Sequence, residues 1–168
     1  TELLKMKLNA ALPADIAVTS LEIADERFVA SLAAKSCTYT CRIATDPAAA
    51  LFSRPYTCVV TESLDLESMQ QAAQLLTHDF AAFSNGRTRK STVRTVETIK
   101  INREDQLIQI QLTANSFLRH MPQLLAGTIL TAGKEKKTDG TTLTLAGVES
   151  AAPACPSHAF SLTDVQLR

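Results

Sequence analysis

A chain of 168 residues is long enough for one domain with a real core, or for one domain and part of another. Hydrophobic residues make up 45% and charged residues 20%, a balance that excludes a disordered or low-complexity chain. Basic and acidic residues number 17 each, so bulk charge makes no case for nucleic acid or a membrane surface, and any RNA binding must come from a local patch.

The chain begins without Met, inside what reads as a helix, as a processed product or a fragment would. Leu3, Leu4, Met6, Leu8 and Leu12 give a short amphipathic helix that Pro13 stops. Ile16 to Ile23 alternates apolar and polar, which predicts a half-buried strand. Phe28 to Ile43 reads as extended, and the stretch from Thr38 to Ile43 has the β-branched and aromatic content of a strand. Thr45-Asp46-Pro47 ends it, an Ala-rich loop follows, and Tyr56 to Val60 predicts another strand.

Ser63 or Asp65 can cap a helix over Leu66 to Leu76, with Met69, Ala72, Ala73 and Leu76 on one face. His78 to Phe83 predicts a compact turn or a one-turn helix, and Ser84 to Ser91 a polar basic loop. Val93 to Ile101 and Leu107 to Leu112 both alternate, and Asn102 to Asp105 between them predicts a hairpin with a four-residue loop. Pro122 suits the first turn of the next helix, Leu124, Leu125, Thr128, Ile129 and Ala132 form its apolar face, and Gly133 is a candidate C-cap. Lys134 to Gly140 reads as a charged loop, Thr141 to Val148 as a short helix, Ala151 to Pro156 as coil and Phe160 to Leu167 as a final strand. Antiparallel hairpins with helices packed on one face make the expected fold α+β.

Cys37, Cys41, Cys58 and Cys155 form no CxxC pair, and the three histidines do not cluster beside them, so neither a zinc site nor a disulfide framework is expected. Cys37 and Cys41 read as small buried apolar residues, and a reducing compartment, cytoplasm or organelle matrix, follows. No apolar run approaches the ~20 residues needed to cross a bilayer, so no membrane partner is expected. P-loop, GxGxxG, GxSxG and HExxH patterns are missing from these residues, which leaves dinucleotide binding, phosphoryl transfer and triad hydrolysis without support.

Four groups of residues could carry chemistry. His78-Asp79-Phe80 with Phe83 offers an acid–base pair or, equally simply, an Asp that caps a short helix while the rings enter the core. Arg119 and His120 lie just before an apolar helix, as phosphate contacts at a helix N-terminus or as a solvated basic pair. Arg87, Arg89, Lys90 and Arg94 concentrate positive charge that could follow a phosphate backbone or belong to a solvated loop. Tyr39, mid-strand between two threonines, could stack on a base or sit in the core.

In order along the chain, several segments resemble the TruA-type tRNA pseudouridine synthases. Leu8-Asn9-Ala10-Ala11-Leu12-Pro13-Ala14-Asp15-Ile16 resembles the LNxxLPxDI element, Phe28-Val29-Ala30-Ser31 the FxAR element, and Lys35-Ser36-Cys37-Thr38-Tyr39 the KxYxY strand. His78-Asp79-Phe80 with Phe83 resembles HDFxxF, Arg94-Thr95-Val96 the arginine-led strand, and Phe117 to Gly127 the FxxxMVRxIVG helix start. Ala151 to Val165 resembles the terminal APxxGLxLxxV strand.

The resemblance implies two α+β domains around a basic cleft, a homodimer acting on the tRNA anticodon stem-loop, and no cofactor or metal. It divides the chain into residues 1–26, the end of an N-terminal domain, and 27–168, a C-terminal domain. It implies that an aspartate starts cleavage of the uracil–ribose bond, that an arginine pairs with it, and that a tyrosine, here Tyr39, lies against the base. The GRTDxGVHA-like segment that carries the aspartate does not occur in these residues. Gln123 stands where the MVR arginine is expected, Pro122 where its valine is, and Ser31 where the FxAR arginine is. Glutamine can hydrogen-bond a carboxylate but brings neither charge nor a bidentate fork, and losing a buried charge partner costs on the order of 3–5 kcal/mol. The expectation is an RNA-binding portion of such a synthase, not catalytic as this chain alone. The alternative is a non-catalytic homologue that binds tRNA or rRNA as a structural or assembly component of a larger ribonucleoprotein, such as an organellar ribosome.

Overall fold

The structure, a computed structural model, describes residues 1–76, 94–134 and 153–167. The turn over His78 to Phe83, the basic loop through Arg87, Arg89 and Lys90, and the helix expected over Thr141 to Val148 lie outside the described residues. Two compact units are present, Thr1–Ala33 and Ala34–Arg168.

In the first unit, α1 (Glu2–Ala11) forms as the leucine spacing predicts, but it buries none of its residues. Asn9 then holds the chain beyond Pro13 with both ends of its amide. Val18 N–H donates to Oδ1 at 2.7 Å, and Nδ2 donates to the Val18 carbonyl at 3.1 Å. The strand expected over Ile16 to Ile23 is not formed. The stretch is exposed coil, with Ile23 90% exposed, because no described strand lies alongside to take up its backbone groups. Phe28 to Ala33 is also not extended. Asp25 turns the chain by accepting from Arg27 N–H through its side chain and from Phe28 N–H through its carbonyl. The Ala- and Leu-rich stretch that follows then takes one helical turn, α2 (Ala30–Ala33).

The second unit is built on β1 (Ala34–Ala44), which pairs antiparallel with β4 (Leu107–Ala114) on one side. On its other side lie β5 (Phe160–Leu167), antiparallel, and β2 (Cys58–Val59), which pairs with Ile43 and Ala44 in parallel. β3 (Val96–Glu104) adds to β4 at the far edge. The fold is α+β as expected, with the short β1–β2 pair making the sheet mixed. Tyr56 belongs to a 3₁₀ turn rather than to β2.

The expected four-residue hairpin loop is shorter in fact. β3 runs through Asn102 and Arg103, and only Asp105 and Gln106 turn, because Asp105 takes a left-handed backbone (φ 51°) that closes a two-residue connection. Along β4 burial alternates strictly, with Ile108, Ile110, Leu112 and Ala114 inside and Gln109, Gln111 and Thr113 on the half-exposed face. The inner residues join Met69 of α3 (Leu66–Leu75) and Met121, Leu125 and Ile129 of α4 (Met121–Lys134) in one core.

Asp65 caps α3, accepting from Ser68 N–H at 3.1 Å. Gly133 is not the C-cap. It lies inside α4, where its carbonyl accepts from Asp65 N–H at 2.9 Å, and a Cβ there would fall 2.5 Å from Met69 Cγ. Its lack of a side chain lets the end of α4 meet the start of α3.

Cys41 is buried as expected, whereas Cys37 is only half-buried. Cys41 Sγ lies 3.4 Å from Cys155 Sγ. Hydrogen bonding to Cys41, with burial, pushes the Cys155 thiol well above its ordinary range. A group whose folded pKa is raised adds stability below its unfolded value, about 8.5 for a thiol, and loses it as pH rises beyond. As pH rises from about 8.5 to 10, folding should therefore weaken through Cys155, with a slope that approaches about 1.4 kcal/mol per pH unit only at the upper end. Urea melts against pH check this, and a dependence identical to that of a Cys155→Ala variant contradicts it.

Candidate functional site

The strand-to-helix junction from Asn115 to Gly127 is held open by short-range bonds that its sequence supplies. Asn115 pins the junction to the start of β3, its N–H donating to the Thr95 carbonyl at 3.2 Å and its Oδ1 accepting from Thr95 N–H at 3.3 Å. That staple fixes the backbone next to Arg94, which is half-buried. Leu118 and Met121 then bond reciprocally. Met121 N–H donates to the Leu118 carbonyl at 3.1 Å, and Leu118 N–H points at Met121 Sδ at 3.5 Å. Two backbone donors at a helix start are thereby satisfied without water, and Met121 is fully buried.

His120 opens α4 in a left-handed backbone, φ 61°, a conformation that costs a non-glycine residue about 1–2 kcal/mol. Such a cost persists where the surroundings over-determine the conformation. Here the buried Met121 follows directly, and the His120 carbonyl accepts from Leu124 N–H at 3.1 Å. The exposed Arg119 and His120 lie together, with Arg119 Nε donating to His120 Nε2 at 3.2 Å. A cation is thus fixed at the first turn of a helix, where the free N–H groups also favour an anion.

Tyr39 sits at the middle of β1, opposite Leu112 on one side and Leu162 on the other. The ring is half-buried and meets Phe117 edge-on, with centroids 5.3 Å apart and planes at 90°. The quadrupoles of the two rings favour that arrangement, which fixes the tyrosine from one side. Beside it, the hydroxyls of Thr38 and Thr113 meet at 2.9 Å, and those of Thr40 and Thr163 at 2.9 Å.

Gln123 lies in the first turn of α4. Its side-chain Oε1 is buried and has no hydrogen-bond partner among the described residues. Its backbone carbonyl accepts from Cys155 N–H at 3.0 Å. One turn later, a Cβ on Gly127 would fall 2.1 Å from the Pro153 carbonyl oxygen. The segment before β5 is therefore laid directly on the helix that carries Gln123. Sequence reasoning missed this brace. The signal for it was a glycine in a helix interior together with a proline-punctuated coil, but nothing local couples residues so far apart.

Of the expected site residues, the fold brings Tyr39 to Phe117 and Arg119 to His120, and it sets Arg94 beside the Asn115 staple. Among the described residues no hydrogen bond or ion pair joins Tyr39, Gln123 and the Arg119–His120 pair to one another. His78, Asp79, Phe80, Arg87, Arg89 and Lys90 lie outside the described residues. Among the described residues no group of three or more His, Cys, Asp or Glu is placed to hold a metal ion, and no helix is long and apolar enough to cross a membrane.

Residues 72–160 match the family described as tRNA pseudouridine synthase. The chain is similar to tRNA pseudouridine synthase A 2 of Bacillus cereus, 36% identical over 132 residues that cover 77% of this chain and 54% of the relative. It is similar to tRNA pseudouridine synthase A 1 of Clostridium tetani, 36% identical over 126 residues, 73% of this chain and 51% of the relative. It is 38% identical over 134 residues to tRNA pseudouridine synthase A of Halalkalibacterium halodurans, which covers 78% of this chain and 51% of that protein. The chain thus spans about half the length of the curated relatives it matches.

Proposed function

The chain belongs to the tRNA pseudouridine synthase family, and from that premise we propose that it is the RNA-holding portion of such a synthase and does not isomerise uridine by itself. The observation that carries the second half is Gln123. A site that keeps a catalytic aspartate ionised calls for a buried cation beside it. Here the helix instead presents a neutral amide whose oxygen is buried without a donor. A carboxylate brought up to that oxygen gains no Coulomb attraction. The resemblance would place that carboxylate in a segment these residues do not contain.

In this reading residues 1–26 close an N-terminal domain and 27–168 form the C-terminal one. Tyr39, steadied by Phe117, supports the uracil ring. Arg119, with His120, and Arg94 contact phosphates, together with Arg87, Arg89 and Lys90 of the basic loop. The complete enzyme of this type would turn uridine into pseudouridine in the tRNA anticodon stem-loop, as a homodimer and without a cofactor. Gln123 and Ser31 also favour a second reading, a homologue with no catalytic partner that serves a ribonucleoprotein as a structural or assembly component.

Both readings require salt-dependent RNA binding. Five Lys and Arg contacts, at a slope of about −0.7 to −0.9 per neutralised phosphate, give log K against log salt a slope of roughly −4. Filter binding of tRNA across salt concentrations measures it. Arg119→Ala should make the slope shallower by about one unit. Binding that is absent, or insensitive to salt, contradicts the proposal and points to a protein-binding module.

A further inference from the structure

We propose that Cys41 and Cys155 are a reversible disulfide site, oxidised through Cys58 by a small-molecule disulfide of the glutathione type. The two sulfurs already touch at 3.4 Å, and both residues are buried. A disulfide needs about 2.05 Å, so the sulfurs must close by about 1.4 Å between them. Both backbones are anchored where they stand. Cys41 is in the central strand of the sheet, between Ile110 of β4 and Phe160 of β5. Cys155 N–H is tied to the Gln123 carbonyl.

Neither sulfur is open to an oxidant from solvent, but Cys58 is half-buried, and the neighbouring Cys155 thiol, with burial, holds the Cys58 thiol well above its ordinary range. β2 holds it beside β1 through the Ile43–Cys58 register. Three of the four cysteines, from three separate stretches of chain, therefore meet in one cluster that the reading of Tyr39 and Gln123 does not use.

The chemistry balances as successive exchange. The Cys58 thiolate attacks one sulfur of the small disulfide and releases the first small thiol. Cys155 attacks Cys58 Sγ and releases the second, leaving a Cys58–Cys155 bond. Cys41 attacks Cys155 Sγ, which breaks that bond and returns Cys58 to a thiol. Two protein thiols lose two electrons in all, and one small disulfide becomes two thiols that carry the protons of Cys41 and Cys155. Cys155 raises the Cys58 thiol, and Cys41 with burial raises that of Cys155, so exchange should be slow near neutrality and speed up as pH rises. The product would lock the Pro153–Pro156 stretch, the brace against α4, onto the central strand.

The test is to incubate the folded chain with excess oxidised glutathione at pH 8.5, quench in acid, block free thiols with a maleimide under denaturing conditions, and map peptides by mass. The expected product is a dithiothreitol-reversible Cys41–Cys155 cross-linked peptide, with an unfolding midpoint raised by roughly 5 °C or more. Cys58→Ser should slow its formation roughly tenfold without changing the cross-link. Cys41→Ser should stop the sequence at Cys58–Cys155. Only glutathione adducts on Cys37 or Cys58, or all four thiols still free, overturn the site. An unchanged rate in Cys58→Ser overturns the route through Cys58.

Discussion

Gly127→Ala lowers the unfolding free energy by about 2–3 kcal/mol, although alanine is the better helix former by about 1 kcal/mol. In the interior of α4 the propensity gain is real and would decide the outcome at a solvent-facing position. Here the added Cβ falls 2.1 Å from the Pro153 carbonyl oxygen, 3.1 Å from its carbonyl carbon and 3.3 Å from Cys155 N. Those are backbone atoms, which cannot swing away as a side-chain tip can. Moving them also pulls at the Cys155 N–H bond to the Gln123 carbonyl. Overpacking against backbone costs about 1–3 kcal/mol, before the strained bond is counted, and so exceeds the propensity term. Urea unfolding measures it, and a variant as stable as the parent shows that the brace does not press on the helix.

Ile110→Ala costs about 3–4 kcal/mol, whereas Gln109→Ala and Gln111→Ala change stability by no more than about 0.5 kcal/mol. Ile110 is 0% exposed, lies opposite Cys41 and Ile101 in the middle of the sheet, and belongs to the core shared with α3 and α4. Its neighbours in the chain point to the half-exposed face. A one-residue change in position therefore separates the largest effect from the smallest, and equal effects at the three positions would mean that the register of β4 is wrong.

The same alternation explains what was legible beforehand. β4, α3 with its Asp65 cap, and α4 with its Pro in the first turn follow from local periodicity and local hydrogen bonds, and sequence carries those directly. Ile16 to Ile23 has the same alternation but no ladder partner among the described residues, and an alternating stretch without a partner stays coil. Phe28 to Ala33 looks extended in sequence but is not, because two extended-looking residues precede an Ala- and Leu-rich turn that helix propensity and the Asp25 turn claim.

Gly133 and Gly127 look alike in sequence as helix glycines, yet each marks a close approach to chain far away, and only the fold shows which neighbour needs the space. The site divides in the same way. The Arg119–His120 pair at a helix start could be read from composition and position. Gln123 could not, because a glutamine in a first turn is ordinary until it is compared with the arginine that the resemblance expects there.

Tritium release most directly tests the claim that this chain holds RNA without isomerising it. tRNA carrying tritium on its uracil rings is incubated with the chain at a concentration where filter binding shows it saturated. The account predicts bound RNA and no release above the protein-free control, and turnover by the chain alone would contradict it.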